Sequence, residues 1–350
     1  MISRRFQLVI LSLALGLASG CQTPPRPGTF EARRGDEIVV AGQLVHTGTP
    51  VVLWMDPGGY DAYRVERRFS TFDKSDWESS HLADTNLTRP NRYNLRKEPL
   101  TPAEIERVRG GGWDLPLLQR VVDQFVIHYD AAGTSRQCFE ILQDRRDLSV
   151  HFLLDLDGTI YQTLDLKERA LHVGASNTRS VGVEIANMGA YSTGQSNALA
   201  QWYLQTNGQT VLTIPKRFGD GGLRTKGFIG HPARDEIVHG KIHGQELEQY
   251  DFTPQQYDAL IKLTATLCKV FPRIECKFPT DSSGQPLYGK LSDVDLTNYH
   301  GVLGHYHSTT EKVDPGPAFD WQRVIRGAQI ILNNGIAPET AATLVGRQGK

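Results

Sequence analysis

The chain has 350 residues, a hydrophobic content of 39% and a formal net charge of −1 at pH 7. A chain of this length accommodates one large domain or two small ones, and its apolar content is that of a globular protein. The near-zero net charge gives no indication of a nucleic acid as partner, because such partners are bound by strongly basic surfaces.

The first 20 residues have the pattern of an export signal. Two arginines precede an apolar stretch over 6–17, which is too short to span a bilayer stably. Leu17-Ala18-Ser19-Gly20-Cys21 then resembles a bacterial lipoprotein cleavage box, which predicts that Cys21 is acylated and anchors the chain in a membrane. Gln22 favours the outer membrane, with the protein facing the periplasm. The alternative is a plain secretory signal with a chance cysteine.

Residues 21–112 are predicted to form a tether and an irregular N-terminal extension. Short strands are expected at 37–41 and 51–55, and the stretch 64–97 is polar without a clear period. Thr101-Pro102-Ala103-Glu104 has a cap, a proline at the first helical position and a glutamate at the third, which predicts a short helix. The extension either packs on the main domain or serves as a spacer.

The main domain is predicted over 113–335. A strand over 121–128 would place Phe125 and Ile127 on one face and would carry His128 at its carboxyl end. In α/β sheets this edge is where ligands bind. His128 is therefore a candidate functional residue.

A helix over 136–145 and further strands follow. The strand at 149–156 ends in Asp157-Gly158, a strong signal for a two-residue hairpin turn, and a return strand follows. The next strand, 180–186, carries Glu184 among small residues. Position alone favours a solvent-facing Glu184 on an edge strand.

Residues 190–245 are polar and too long for an ordinary connection, which predicts an inserted hairpin or lid close to Glu184. The histidines of this insertion are either ligands or surface residues; they are His231, His239 and His243. Core-facing helices are expected from Thr253 to about 271 and over 321–333, and the tail over 336–350 is expected to be disordered.

Three cysteines remain after Cys21. Cys268 and Cys276 are close in sequence and would be the pair if an exported protein held a disulfide. The alternative is that they and Cys138 are small buried apolar residues.

A polar loop follows the apolar pair Val302-Leu303. It contains His305, His307, Lys312 and Asp314 within a few residues. Imidazole and carboxylate groups are ligands that zinc accepts, and a catalytic zinc keeps a further position open to water.

Five ordered blocks resemble the zinc N-acetylmuramoyl-L-alanine amidases, which share their fold with bacteriophage amidase lysozymes and peptidoglycan recognition proteins. The blocks are FVIHY at 125–129, VHFLLDLDGTIYQ at 150–162, ALHVG at 170–174, SVGVE at 180–184, and GH at 304–305 with KVDPGP at 312–317. The resemblance covers about 113–333 and implies an α/β fold, with a central mixed β-sheet flanked by helices. The insertion at 190–245 departs from the family pattern and leaves substrate preference open.

The resemblance also implies the roles of the site residues. His128, His305 and Asp314 would bind Zn²⁺, Glu184 would be the general base and proton shuttle, and Lys312 would stabilise the oxyanion.

Other histidines are secondary candidates. His172 resembles a family position that lines the substrate cleft, and His151 is expected to be structural. His307 could replace His305 as a ligand, but the glycine before His305 favours His305.

The function that follows is zinc-dependent hydrolysis of the amide bond between N-acetylmuramic acid and L-alanine. The partner would be peptidoglycan or its soluble fragments. The alternatives are a module that binds peptidoglycan without cutting it and a zinc hydrolase for another amide.

Overall fold

The structure is a computed structural model that describes residues 26–82, 86–195 and 197–334. Among the described residues, 34–334 belong to one compact unit and 26–33 to another, in which the Thr29 amide donates to the carbonyl of Arg26. The export signal, Cys21 and the tail over 336–350 lie outside the described residues. Within the described ranges, no helix combines the length and the apolarity needed to cross a membrane.

Short strands and a few longer helices make up the described chain. The strands are β1 Glu37–Val40, β2 Gln43–His46, β3 Val51–Leu53, β4 Tyr93–Leu95, β5 Gln124–Tyr129, β6 Phe152–Leu154, β7 Ile160–Gln162, β8 Glu168–Ala170, β9 Ser180–Ile185, β10 Tyr191–Ser192, β11 Tyr203–Thr206, β12 Gln209–Leu212, β13 Val238–Ile242, β14 Gln245–Gln249 and β15 Gly301–Gly304. The α-helices are α1 Trp77–His81, α2 Pro102–Arg109, α3 Leu115–Val121, α4 Ser135–Phe139, α5 Pro254–Val270, α6 Asp293–Asn298 and α7 Trp321–Asn334.

A six-stranded mixed sheet with the order β15-β5-β9-β6-β7-β3 forms the centre. Strands β15, β5, β9 and β6 are parallel, β7 is antiparallel to β6, and β3 is parallel to β7. Helices cover both faces. Phe125 and Ile127 pack in one core with residues of α5 and α7, whereas Val126 and Leu303 face Leu296 of α6. The α/β fold predicted from the sequence, a central mixed sheet flanked by helices, is confirmed.

Two predicted boundaries shift because helix caps were missed. The strand predicted over 121–128 begins only at Gln124, because Val121 is the last residue of the helix α3, where the Asp114 carboxylate accepts the Leu117 amide and Pro116 occupies the first turn. The helix predicted over 136–145 begins one residue earlier, at Ser135, because Thr134 is its cap, and it passes after Phe139 into a π-helical turn.

Residues 34–112 belong to the same compact unit as the described residues that follow them. β1 pairs with β2, so the two strands expected at 37–41 and 51–55 do not pair with each other. Instead β3 pairs with β7 and forms an edge of the central sheet. The helix predicted from Thr101 is α2, and it has the full capping box. The extension therefore packs on the main domain.

The insertion folds into small sheets of its own, β10-β14-β13 and the hairpin β11-β12. Trp202 of the insertion is buried with Leu156 and Ala186, which follow β6 and β9. A Cβ atom on Gly133, in the loop after β5, would come within 2.5 Å of the Trp202 ring. The insertion thus lies against the carboxyl edge of the parallel strands.

The cysteines Cys138, Cys268 and Cys276 are free thiols in the structure. Cys138 and Cys268 are buried, and the Cys276 Sγ lies 3.7 Å from the carbonyl oxygen of Ile325. Cys276 is only partly buried, and its thiol group interacts directly with that of Cys268. A disulfide between these two residues therefore stays a prediction.

Candidate active site

Three neighbouring parallel strands bring the candidate residues to one edge of the sheet. In the β5–β9 register His128 lies opposite Glu184, and in the β15–β5 register Gly304 lies opposite Ile127. His305 therefore follows the end of β15 directly beside the end of β5. Parallel strands present their carboxyl ends at the same edge, which is where α/β folds build their sites.

His128, His305 and Asp314 converge on one point. The His128 Nδ1 lies 2.8 Å from the Asp314 Oδ2 and 3.0 Å from the His305 Nδ1, and the His305 Nδ1 lies 3.1 Å from the same Oδ2. Two ring nitrogens and one oxygen in such a triangle cannot all be joined by linear hydrogen bonds. Ligands of a tetrahedral zinc lie about 3.3 Å apart, so shifts of a few tenths of an ångström would fit the three atoms to an ion.

The protonation of these groups also suits a metal. Burial, and then the charge of His305, lowers the pKa of His128 to about 4, so its imidazole is neutral at pH 7. Burial alone would raise the pKa of Asp314, but the charge of His305 and the hydrogen bonds from both histidines hold it well below its usual range. A neutral imidazole at His128 and a carboxylate at Asp314 are forms that bind zinc.

The loop that carries Asp314 is fixed by buried hydrogen bonds. The Tyr306 amide donates to the Asp314 carbonyl. Gln249, at the end of β14, donates from Nε2 to the Pro315 carbonyl at 3.1 Å and accepts the Ala318 amide at 3.0 Å. The strand β14, which begins at the last residue of the insertion, thereby supports the Asp314 loop through the Gln249 side chain. Gln249 was not identified from the sequence.

Glu184 lies beside the three converging residues. Its Oε2 atom is buried and has no hydrogen-bond partner among the described residues. Burial, followed by the charges of Asp314 and Asp130, raises the pKa of Glu184 well above its usual range, and Lys312 opposes this shift. A carboxyl with a raised pKa and a free oxygen is suited to exchanging a proton with a bound molecule.

Lys312 is an exposed residue of the same loop as Asp314. Its charge acts on both His128 and Glu184, which places the ammonium in the electrostatic surroundings of the site. The Lys312 carbonyl lies 3.1 Å from the Nε2 of His243, a residue of the insertion. The sequence left His243 between ligand and surface residue, and the structure makes it a partner of the Lys312 backbone.

His172 stands directly behind His128. Its Nδ1 lies 3.0 Å from the His128 Nε2, and its Nε2 lies 3.2 Å from the Ser180 hydroxyl. If the His128 Nδ1 faces a metal, the His128 Nε2 carries the proton and donates it to His172. Both ring nitrogens of His172 are then engaged within the chain. The backbone of His172 is held by the Asn177 Oδ1.

Three further histidines have structural partners. His151 is buried, contacts Arg96 and accepts the Gly182 amide, as a structural residue would. His307 accepts the Gly304 amide and contacts the Leu287 carbonyl, so it points away from the converging residues. His300 pairs with Asp123 at the opposite edge of the sheet.

The fold and this cluster define an α/β protein with a two-histidine, one-aspartate metal-type site and an adjacent carboxyl group. The family model described as N-acetylmuramoyl-L-alanine amidase matches residues 118–317, more than half of the chain. The chain belongs to the N-acetylmuramoyl-L-alanine amidase family. It is therefore a hydrolase of the amide bond between N-acetylmuramic acid and L-alanine.

Several solved structures are similar at low identity. A selenomethionine derivative of AmpD has 16% identity and a TM-score of 0.32, with 70% of this chain and 94% of that chain covered. The amidase AmiD from E. coli, in complex with an anhydro-N-acetylmuramic acid peptide, has 18% identity and a TM-score of 0.32, with 59% and 56% covered. The endolysin LysCS from Clostridium intestinale URNW has 14% identity and a TM-score of 0.30, with 61% and 86% covered. No curated protein sequence matches the chain.

Proposed function

We propose that the amidase is zinc-dependent, with His128, His305 and Asp314 as the protein ligands. The observation that carries this proposal is the convergence of two Nδ1 atoms and one Oδ2 atom within 3.1 Å of one another. When bound there, zinc would supply Lewis acidity toward a water molecule and toward the scissile carbonyl group.

Glu184 and Lys312 would carry the proton transfer and the charge stabilisation. Glu184 takes a proton from the attacking water and returns it to the departing L-alanine nitrogen, for which its unpartnered Oε2 is available. The Lys312 ammonium offsets the negative charge that develops on the amide oxygen. A positive charge on this exposed loop is able to reach a substrate that enters from solvent.

The substrate is peptidoglycan or its muropeptide fragments, acted on from a membrane anchor. The lipoprotein box before Cys21 supports an outer-membrane protein that faces the periplasm, where peptidoglycan lies. The insertion against the carboxyl edge of the sheet is the part of the chain best placed to select between substrate forms.

The decisive experiment compares wild type with Glu184→Gln. We expect Glu184→Gln to lose at least about 10³-fold in turnover while it keeps one zinc per chain, because the ligands are intact. Glu246→Gln, an exposed glutamate paired with Lys241, is the matched control and should retain activity. Products from intact sacculi and from soluble muropeptides are identified by mass spectrometry, and metal content is measured on the same samples.

Zinc dependence is tested on the same protein. Removal of the metal with a chelator should stop peptide release, and added zinc should restore it. Full activity of Glu184→Gln would contradict the role of Glu184. Binding of muropeptides by wild type without any release of peptide would instead identify a binding module.

A further inference from the structure

A second cavity, separate from the amidase site, lies between residues 58–69, the strand β7, α4 and the insertion. Its volume is about 350 Å³, and it is lined by Arg68, Arg136, Arg224, Tyr60, Phe69 and Tyr161. Tyr161 belongs to β7, which is separated from the strand of Glu184 by β6. Neighbouring strands are about 4.8 Å apart, so the two sites occupy different parts of the sheet.

The three arginines have no acidic partner among the described residues. No carboxylate lies within ion-pair distance of Arg68, Arg136 or Arg224 in those ranges. Three acids lie near the cavity, and each accepts a backbone amide: Asp220 that of Gly222, Asp157 that of Thr225 and Asp155 that of Leu156. Burial raises the pKa of Asp155 to about 8, so this carboxyl group is mostly neutral at pH 7. Three positive charges around one cavity repel each other. An anion bound between them would replace this repulsion with attraction.

Aromatic rings hold two of the guanidinium groups in place. The Arg68 guanidinium lies 5.4 Å from the centroid of the Tyr60 ring, and that of Arg136 lies 5.3 Å from the centroid of Phe69. A guanidinium stacked on a ring face keeps its N–H donors at its edge. Those donors suit the paired oxygens of a carboxylate or a phosphate.

Tyr60 adds a neutral donor to the cavity. The residue is only 4% exposed, and its ring packs on Phe139 and Tyr161 at 5.1 and 4.6 Å between centroids. Its hydroxyl group makes no hydrogen bond within the described residues. Burial raises the pKa of Tyr60, so the hydroxyl keeps its proton. The Tyr60 hydroxyl can therefore donate a hydrogen bond to an acceptor atom of a ligand in the cavity.

We propose that this cavity binds a small anionic ligand through a carboxylate or phosphate group, independently of amide hydrolysis. Arg68, Arg136 and Arg224 provide the charge, and the Tyr60 hydroxyl donates to one oxygen. The volume lies at the lower end of the range for small-molecule sites. The depth of Tyr60 favours a molecule that enters the cavity over a membrane surface, whose headgroups would meet only the exposed arginines.

The test is isothermal titration calorimetry of the full chain with two probes, inorganic phosphate and N-acetylglutamate. We expect at least one probe to bind with a Kd between about 10 µM and 1 mM, more weakly at high salt. Arg68→Gln/Arg136→Gln should weaken binding at least about tenfold, and Tyr60→Phe, which removes only the hydroxyl, about fivefold. Preference for one probe assigns the ligand as a phosphate or a carboxylate.

Two controls separate this site from general charge effects and from the amidase site. Arg217→Gln removes a guanidinium that also stacks on a ring, Phe218 at 4.6 Å, and should leave binding unchanged. Glu184→Gln should also bind the probe like wild type. The proposal is overturned if neither probe binds, if the cavity variants bind like wild type, or if only vesicles of phosphatidylglycerol bind.

Discussion

At the residue scale, the His172 imidazole influences which nitrogen of the His128 ring carries the proton at the proposed metal site. The His172 Nδ1 lies 3.0 Å from the His128 Nε2, and the His172 Nε2 lies 3.2 Å from the Ser180 hydroxyl. With zinc bound at the His128 Nδ1, the proton of the His128 ring would lie on Nε2 and be donated to His172, which would donate in turn to Ser180. Such outer partners orient a ligand ring and raise its basicity.

His172→Ala should therefore weaken zinc binding by about 10–100-fold, because the His128 Nε2–H loses its acceptor. Zinc affinity is measured by competition with a chromophoric chelator. His239→Ala, at an exposed histidine of the insertion, is the matched control and should bind zinc like wild type. Equal affinities of His172→Ala and wild type would show that His172 does not position His128.

The sequence identified residues that lie in short local motifs and missed contacts between residues that are far apart along the chain. His128, Glu184, His305 and Asp314 were found because each lies in a short ordered block at a strand end or in the loop after it. Gln249 was missed, since its partner Pro315 lies 66 residues away. His243 was named as a ligand or a surface residue, but its contact with Lys312, 69 residues away, was not predicted. A contact over such a separation leaves no local pattern.

At the element scale, β9 shows why small residues surround Glu184. The interpretation that position alone favoured, a solvent-facing glutamate on an edge strand, is wrong about the strand, because β9 lies between β5 and β6 in the sheet. A Cβ atom on Gly182 would come within 2.5 Å of the His172 ring. The glycine on the same face as Glu184 thus makes room for the imidazole that supports His128.

The conformation of the loop at Gly316 is expected to position the proposed metal ligand Asp314, and this can be tested. Gly316 has φ +88°, and a Cβ there would lie 2.0 Å from the Gln249 Oε1. Gly316→Ala should lower the free energy of unfolding by about 3 kcal/mol, through the backbone and the clash together, and should weaken zinc binding. Urea unfolding and chelator competition measure the two effects.

The control for the backbone contribution is Gly208→Ala, at φ +79° with no atom near its Cβ position. It should cost only about 1–2 kcal/mol, with zinc affinity unchanged. Adding Gln249→Ala to Gly316→Ala should cost less than the sum of the single changes, because the clash is relieved. Strict additivity would mean that Gln249 does not press on the loop.

At the scale of the whole molecule, the segment 34–112 completes the amidase fold. It supplies the edge strand β3 and a buried arginine, Arg96, which is 0% exposed. The sequence left open whether this segment packs on the main domain or serves only as a spacer. The reason is that β3 has three residues and its partner β7 lies about a hundred residues later. Strand pairing over such a distance is decided by tertiary packing, not by local propensity.

Arg96 ties this segment to the strand and loop behind the site. Its guanidinium donates to four backbone carbonyl groups and contacts the His151 Nε2 at 3.0 Å; the carbonyls are those of Leu166, Asn177, Thr178 and Ser180. Burial lowers the pKa of Arg96 to about 9, which keeps it charged at pH 7. Two of these carbonyls belong to Asn177 and Ser180, whose side chains hold His172.

Arg96→Met should lower the free energy of unfolding by about 3 kcal/mol or more, because several buried carbonyls lose a charged donor at once. Urea unfolding of the metal-free full chain measures this loss without a contribution from zinc. Arg64→Met, at an exposed arginine paired with Glu66, should change stability by less than about 1 kcal/mol. Zinc affinity should fall only in Arg96→Met, since the support of His172 loosens. Equal unfolding curves for the two variants would mean that residues 34–112 are an appendage rather than part of the amidase domain.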